Sequence, residues 1–298
     1  MEYSIENEVL RVTADTHGAE LMSIYNKKKE QEYLWDGKAE FWGRRAPVLF
    51  PFVGAVKDKQ FWHNGKAYLM GQHGFARDME FAYLEDKKSD IEMWFELTST
   101  EETFEKYPFH FSLQIGYRLE KNSIKIMWKV LNSGEEEMHF SIGAHPAFLC
   151  PLGEGAGREY YLYLEGVKEK AELSVIDASC GLIGSTETFT ELETAEQGSY
   201  VKITTKLFEK DALILENHQT QKVSLCMSDK KPYVTVTFDA PLVGIWSPAG
   251  KDAPFVCIEP WYGRCDAKDF EGELKDRKWG NTLKAGKSFE KEYSIWIE

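Results

Sequence analysis

Alternation of apolar and polar residues with a period of two constrains this chain most. Ile91, Met93, Phe95 and Leu97 alternate with Glu92, Trp94, Glu96 and Thr98, the mark of a strand with one buried and one wetter face. HFSLQIGYRL (110–119) and IKIMWKVL (124–131) follow at short spacing. Further strand-like runs cover residues 160–164, 201–208, 212–215, 223–227, 233–238, 255–258 and 293–297. Asp36-Gly37 and Asn132-Ser133-Gly134 supply turn signals between runs. Helical periodicity is confined to single-turn candidates at 102–106 and 267–270. Many short strands with few helices predict an all-β, mainly antiparallel sandwich or large barrel, and nothing alternates β and α as a parallel doubly wound sheet requires.

No repeat or Pro/Ser-rich linker divides the 298 residues, so one domain over 1–298 is expected. The polar stretch 174–198 reads as a surface excursion. PLGEGAG (151–157) is glycine-rich but opens no helix and lacks a following Lys-Ser/Thr, which makes it a poor phosphate cradle. With 36 basic against 49 acidic residues the net charge is −13, and no Lys/Arg run could track a phosphate backbone. Nucleic acid is therefore excluded as a partner, and an anionic membrane surface would be repelled. No stretch approaches the 18 or so apolar residues of a membrane span, and the acidic start predicts no secretory signal. Five scattered cysteines without a CxxC point to reduced thiols and a cytoplasmic location.

Five neighbourhoods could carry chemistry. Arg44-Arg45 precede the apolar VLFPFVG (48–54) and could fork onto hydroxyls or a phosphate, although surface arginines are the commoner outcome. Gln72, His73 and Arg77 sit in GQHGFAR (71–77), where two glycines permit close backbone approach. His145 lies in SIGAHPAF (141–148), among small residues that leave space beside the imidazole. Asp211 precedes the apolar ALIL (212–215), as a solvated loop end would. Glu259, ending the apolar run FVCI (255–258) before Pro260-Trp261, is in the setting where desolvation disturbs ionisation and where enzymes place a general acid or base. No metal site is expected, because His63/His73 and His139/His145 lack ligand spacing and HExxH is absent. GxSxG is absent too, so no serine nucleophile is expected.

In this order the segments WGRRAPVLFPFVG (42–54), GQHGFAR (71–77), YPFHFSLQIGY (107–117), GAHPAF (143–148), DALIL (211–215) and CIEPWYG (257–263) resemble the aldose 1-epimerase (mutarotase) superfamily, in its bacterial aldose 1-epimerase-like branch. The resemblance implies a galactose mutarotase-like β-sandwich, or supersandwich, with a sugar site on a concave face. It implies cofactor-free interconversion of the α and β anomers of an aldose. By that resemblance His145 matches the catalytic acid, Glu259 the catalytic base and His73 a second histidine at the reacting end of the sugar. Asp211 matches an aspartate that holds sugar hydroxyls. Gln72 and Arg77 match substrate-binding positions of sugar-phosphate members. The Arg44-Arg45 pair covers an early arginine, with Arg44 favoured. Asparagine-rich motifs of the galactose mutarotases are missing, and Arg45-Ala46 stands where hexose-phosphate epimerases carry glycines. A free hexose, a hexose phosphate and a non-catalytic sugar-binding role therefore stay open.

The expected chemistry is concerted: a base takes the anomeric hydroxyl proton while an acid protonates the ring oxygen. With reference values of about 4.3 for Glu and about 6.5 for His, Glu259 is expected ionised at neutral pH. His145 is expected to be kept protonated by a neighbouring carboxylate, the two groups flanking the anomeric centre. Trp35, Trp42, Trp62, Trp246 and Trp261 are candidate sugar platforms, though most tryptophans fill core.

Overall fold

The computed structural model describes residues 1–150 and 159–298, so the 151–157 segment weighed above as a phosphate cradle lies outside the described residues. Two large antiparallel sheets, of ten and eight strands, enclose one main apolar core. The larger sheet contains the long hairpin Phe111–Glu120 with Ser123–Asn132, flanked by Glu92–Thr98 and Ser288–Ile297. Its two-residue turn is closed by Lys121 at φ 56°. The period-two reading holds from Glu92 to Thr98, where Met93, Phe95 and Leu97 are buried, as are Ile124, Ile126 and Val130 on the same core face, whereas Ile91 precedes the strand and is exposed.

The smaller sheet runs in the order Leu182–Phe189, Ala171–Asp177, Leu213–Leu215, Leu242–Trp246, Phe255–Tyr262, Ile142–Ala144, Val48–Leu49, with an eighth strand, Ala147–Leu149, also paired to Phe255–Tyr262. Its central strand Phe255–Tyr262 is buried along its whole length. Val256 and Ile258 point into the main core. Because side chains alternate across a strand, Cys257, Glu259 and Trp261 point to the opposite face, where Trp261 joins Leu49, Val53, Ile214 and Leu242 in a second apolar cluster. That opposite face carries the site.

Several local expectations are corrected. Glu259 does not end its strand, which continues through Pro260 to Tyr262. A proline is tolerated there because the neighbouring chain is interrupted: Ile142–Ala144 pairs with Tyr262 and Trp261, Ala147–Leu149 pairs with Cys257 to Phe255, and His145-Pro146 link the two. The expected 201–208 strand stops at Lys202, since the apolar pattern gives way to Thr204-Thr205-Lys206. The polar stretch from Ser174 is an edge hairpin, Ala171–Asp177 with Leu182–Phe189, not an irregular excursion. Glu101–Lys106 forms the expected helical turn, with a reciprocal Thr100/Thr103 cap. Residues 267–270 form none, Ala267 bridging to Ile183 instead. Among the described residues no helix is long and apolar enough to cross a membrane.

Candidate active site

The register carried across the interruption sets His145 directly opposite Glu259, so the two side chains emerge as a cross-strand pair on one face. His145 Nε2 lies 3.3 Å from Glu259 Oε2. Glu259 is 0% exposed and His145 9%. They stand side by side on one wall, which corrects the expectation that they flank the anomeric centre from opposite sides. Room beside the imidazole does not come from Gly143 either. A Cβ on Gly143 would meet the Trp261 ring at 2.6 Å, and one on Gly244 would meet it at 2.5 Å, so both glycines make space for the indole. The imidazole is enclosed by aromatics: Trp42 stacks on it at 4.7 Å between ring centroids, with Trp246 edge-on at 5.6 Å and His73 edge-on at 5.7 Å.

His73 is held in the left-handed region at φ 67° and is followed by Gly74 at φ 71°. Gly74 is obligatory by contact, since a Cβ would fall 2.3 Å from the Phe50 carbonyl oxygen. The Gly54 N–H donates to His73 Nδ1 at 3.1 Å, while the His73 N–H donates to the Gly54 carbonyl at 3.0 Å. A ring whose Nδ1 accepts carries its proton on Nε2, so His73 offers a neutral N–H donor. Asp211, at φ 72°, is anchored through Oδ1, which accepts from the Ala212 N–H at 2.7 Å. Two non-glycine site residues in strained backbone are the kind of cost that function sustains.

Gln72, His73, Arg77, His145, Asp211 and Glu259 share one cavity of about 250 Å³, closed by Trp42, Trp246, Trp261 and the edge-hairpin residues Ile176 and Gly181. That volume lies just below the range of about 300–1,000 Å³ typical of ligand pockets, on the scale of a monosaccharide. Wider grooves of about 770 and 650 Å³ elsewhere are lined by solvent-accessible charges and hold no buried acid–base pair. Arg44 borders the cavity without lining it: its Nη2 sits 2.7 Å from Asp78 Oδ1. Arg45 turns away to the Met22 carbonyl, which separates the two arginines that the sequence left paired. Arg77 donates from Nη2 to the Gln72 carbonyl at 2.9 Å, its Nε lying 3.8 Å from Asp78 Oδ2. Asp78, not singled out from the sequence, is thus shared by both site arginines. Of the candidate tryptophans, Trp35 is buried against Phe255 and Trp62 lies on an exposed hairpin, both away from this cavity.

Burial governs ionisation here. Desolvation holds the Glu259 carboxyl well above the usual carboxylate range, the Asp211 charge adds to this, and the Trp261 indole opposes it. Desolvation likewise pulls His145 down to about 3, with Arg77 and Arg44 contributing. His73 is driven well below its ordinary value by desolvation, then by His145, Arg77 and Arg44. The expected charged pair, ionised Glu259 beside a raised His145, is therefore corrected. The cost of burying two charges outweighs their attraction, so burial biases Glu259 toward its protonated form and His145 toward its neutral one. Cys257 lies close by, its sulfur and one atom each of His145 and Glu259 all falling within 4.8 Å of one another. Burial and Glu259 push the Cys257 thiol well up, and Arg44 and Arg77 bias the surroundings positive, so this trio is poorly suited to a dication, which needs a thiolate.

An antiparallel sandwich bearing this cavity is the galactose mutarotase-like class of protein. The sequence model of the aldose 1-epimerase family matches residues 1–296. A galactose mutarotase-related enzyme from Lactobacillus acidophilus is similar in structure, with a TM-score of 0.88 and 36% identity over 100% of this chain and 97% of that one. A galactose mutarotase-like protein from Lactobacillus casei gives a TM-score of 0.89 at 30% identity, covering both chains completely. Protein LacX (chromosomal) of Lactococcus lactis subsp. lactis is 30% identical over 308 residues, covering 100% of this chain and 99% of its own. The chain belongs to the aldose 1-epimerase family, and hence to a class of isomerases whose substrates are sugars.

Proposed function

We propose that this protein interconverts the α and β anomers of a free aldohexose, with His145 and Glu259 as the acid–base pair. The observation that carries the reading is the buried cross-strand contact of 3.3 Å between them, facing a monosaccharide-sized cavity. Two oxygens bonded to one anomeric carbon lie closer together than that, so a side-by-side pair can serve both.

The pair holds one proton in two arrangements. With Glu259 ionised and His145 protonated, Glu259 removes the O1 proton as His145 delivers one to the ring oxygen. The C1–O5 bond breaks and O1 becomes a carbonyl. The open-chain aldehyde then faces a protonated Glu259 and a neutral His145. Rotation about C1–C2 presents the other carbonyl face, and reversal of both transfers closes the ring as the other anomer. No electrons or groups leave the sugar, so the chemistry calls for no cofactor. Burial favours the arrangement with both side chains neutral, so the ionised arrangement that opens the ring forms from it by proton transfer within the pair, at an energy cost that hydrogen bonds to the bound sugar offset. The neutral N–H of His73 is a donor for charge developing on a sugar oxygen, and Asp211 is an acceptor for hydroxyls.

The free-sugar reading is favoured over a hexose phosphate because Arg44 is paired with Asp78, and Arg77 donates to the Gln72 carbonyl with Asp78 within 3.8 Å of its Nε. It is favoured over a silent binding role because a binder has no need of a desolvated acid–base pair. The setting proposed is cytoplasmic. The test is magnetisation-exchange NMR on glucose, galactose and glucose 6-phosphate, with the spontaneous rate subtracted. Exchange of a free hexose above the buffer rate is the expected result, and exchange at the buffer rate for all three would overturn the reading.

A further inference from the structure

We propose that Asp78 is the residue that sets this site against phosphorylated sugars, an inference that rests on the anomer-exchange reading above. Asp78 follows Arg77 at the end of the short turn Ala76–Asp78, so its place beside one arginine is fixed by sequence. Folding adds the second: Arg44 Nη2 reaches Asp78 Oδ1 at 2.7 Å, while Arg77 Nε is 3.8 Å from Oδ2. Arg77 Nε is itself buried and makes no hydrogen bond, and its Nη2 is tied to the Gln72 carbonyl. Two guanidiniums beside a sugar cavity form a site for a phosphate dianion, which takes bidentate arginine partners. One carboxylate beside them offsets half of that positive charge and occupies the Nη2 donor of Arg44. A phosphorylated hexose would have to displace Asp78 or sit against its negative charge. A neutral hexose meets no such repulsion and finds both arginines already held in place. Asp78 therefore acts as a repulsive element against one substrate class, while for the neutral class its charge serves only to hold the arginines.

The test compares wild type with Asp78→Asn, an isosteric change that keeps a polar side chain between the arginines. The quantity read is the ratio of kcat/KM for glucose 6-phosphate to kcat/KM for glucose, from anomer-exchange NMR at low salt. One unit charge a few ångströms from a dianion, in a water-like medium, corresponds to about a tenfold change. Asp78→Asn is expected to raise the ratio about tenfold, the gain shrinking as salt is added. Adding Arg44→Ala to Asp78→Asn should cancel the gain. Asp78→Ser, made alongside, reads the same ratio should the asparagine protein fold poorly. A wild type that exchanges glucose anomers while the ratio stays within twofold in both variants overturns the role of Asp78 and leaves the anomer-exchange reading standing. A wild type that already prefers glucose 6-phosphate overturns it also. A wild type active on neither sugar overturns the functional reading itself, and the role of Asp78 with it.

Discussion

Replacing Glu259 by Gln should separate the site's stability from its activity in a way that only a buried, desolvated carboxyl produces. A carboxyl whose folded value is raised holds its proton in the native state after the unfolded chain has lost it. Native stability then falls as pH rises from the unfolded value toward the raised one, by at most about 1.4 kcal/mol per pH unit for one proton. His145 acts in the opposite sense. It is neutral in the native state down to about 3, so stability rises with pH from there to its unfolded value near 6.5. The two slopes oppose each other between about 4.5 and 6.5, and above 6.5 only the Glu259 slope remains. Glutamine keeps the shape and removes the titration. Thermal unfolding of wild type and Glu259→Gln, scanned from pH 5 to 8.5, should give a stability difference that grows in favour of the variant. At about 1.5–2 °C per kcal/mol for a chain of this size, the gap widens by up to about 2–3 °C per pH unit. Comparing the two proteins at each pH cancels the remaining titrating groups. A difference that stays flat across this window would show that Glu259 ionises normally in the folded state, and the account of the resting pair would fail.

Two further outcomes follow from the same geometry. Asp211→Asn removes the charge that helps raise Glu259, so the alkaline limb of the pH–rate profile should move to lower pH while KM rises; an unmoved limb would mean the two carboxyls are not coupled. Gly244→Ala places a Cβ 2.5 Å from the Trp261 ring and should destabilise the fold by about 1–3 kcal/mol, read by denaturant unfolding, whereas a neutral result would show that the indole does not lie on that glycine.

The fold was largely legible because its strands carry their own period. The alternation up to Thr98 needs no tertiary knowledge, and the strand Glu92–Thr98 keeps the predicted buried face at Met93, Phe95 and Leu97, with only Ile91 falling outside it. The site was legible as a set of residues but not as a geometry. Six of the seven candidates line one cavity, and Arg44 stands at its edge. What stayed hidden depends on long-range pairing. Pro260 reads locally as a strand end, and only the interruption of the neighbouring chain at His145-Pro146 lets the strand continue and brings Glu259 opposite the imidazole. Asp78 had a local signal beside Arg77, but its second partner, Arg44, comes from a distant segment. The ionisation of the pair was misread because sequence gives the neighbouring charges and not the depth of burial, and here burial dominates.

The central claim is that the buried His145–Glu259 pair moves the proton between the anomeric and ring oxygens. It is tested most directly by anomer exchange in wild type, Glu259→Gln and His145→Asn at equal concentration of folded protein, measured on glucose and galactose by magnetisation transfer with the buffer rate subtracted. Each variant should retain sugar binding, seen as ligand-induced chemical-shift changes, and lose about 10²–10⁴-fold in exchange rate. A folded, sugar-binding Glu259→Gln protein that exchanges anomers within tenfold of wild type would contradict the account.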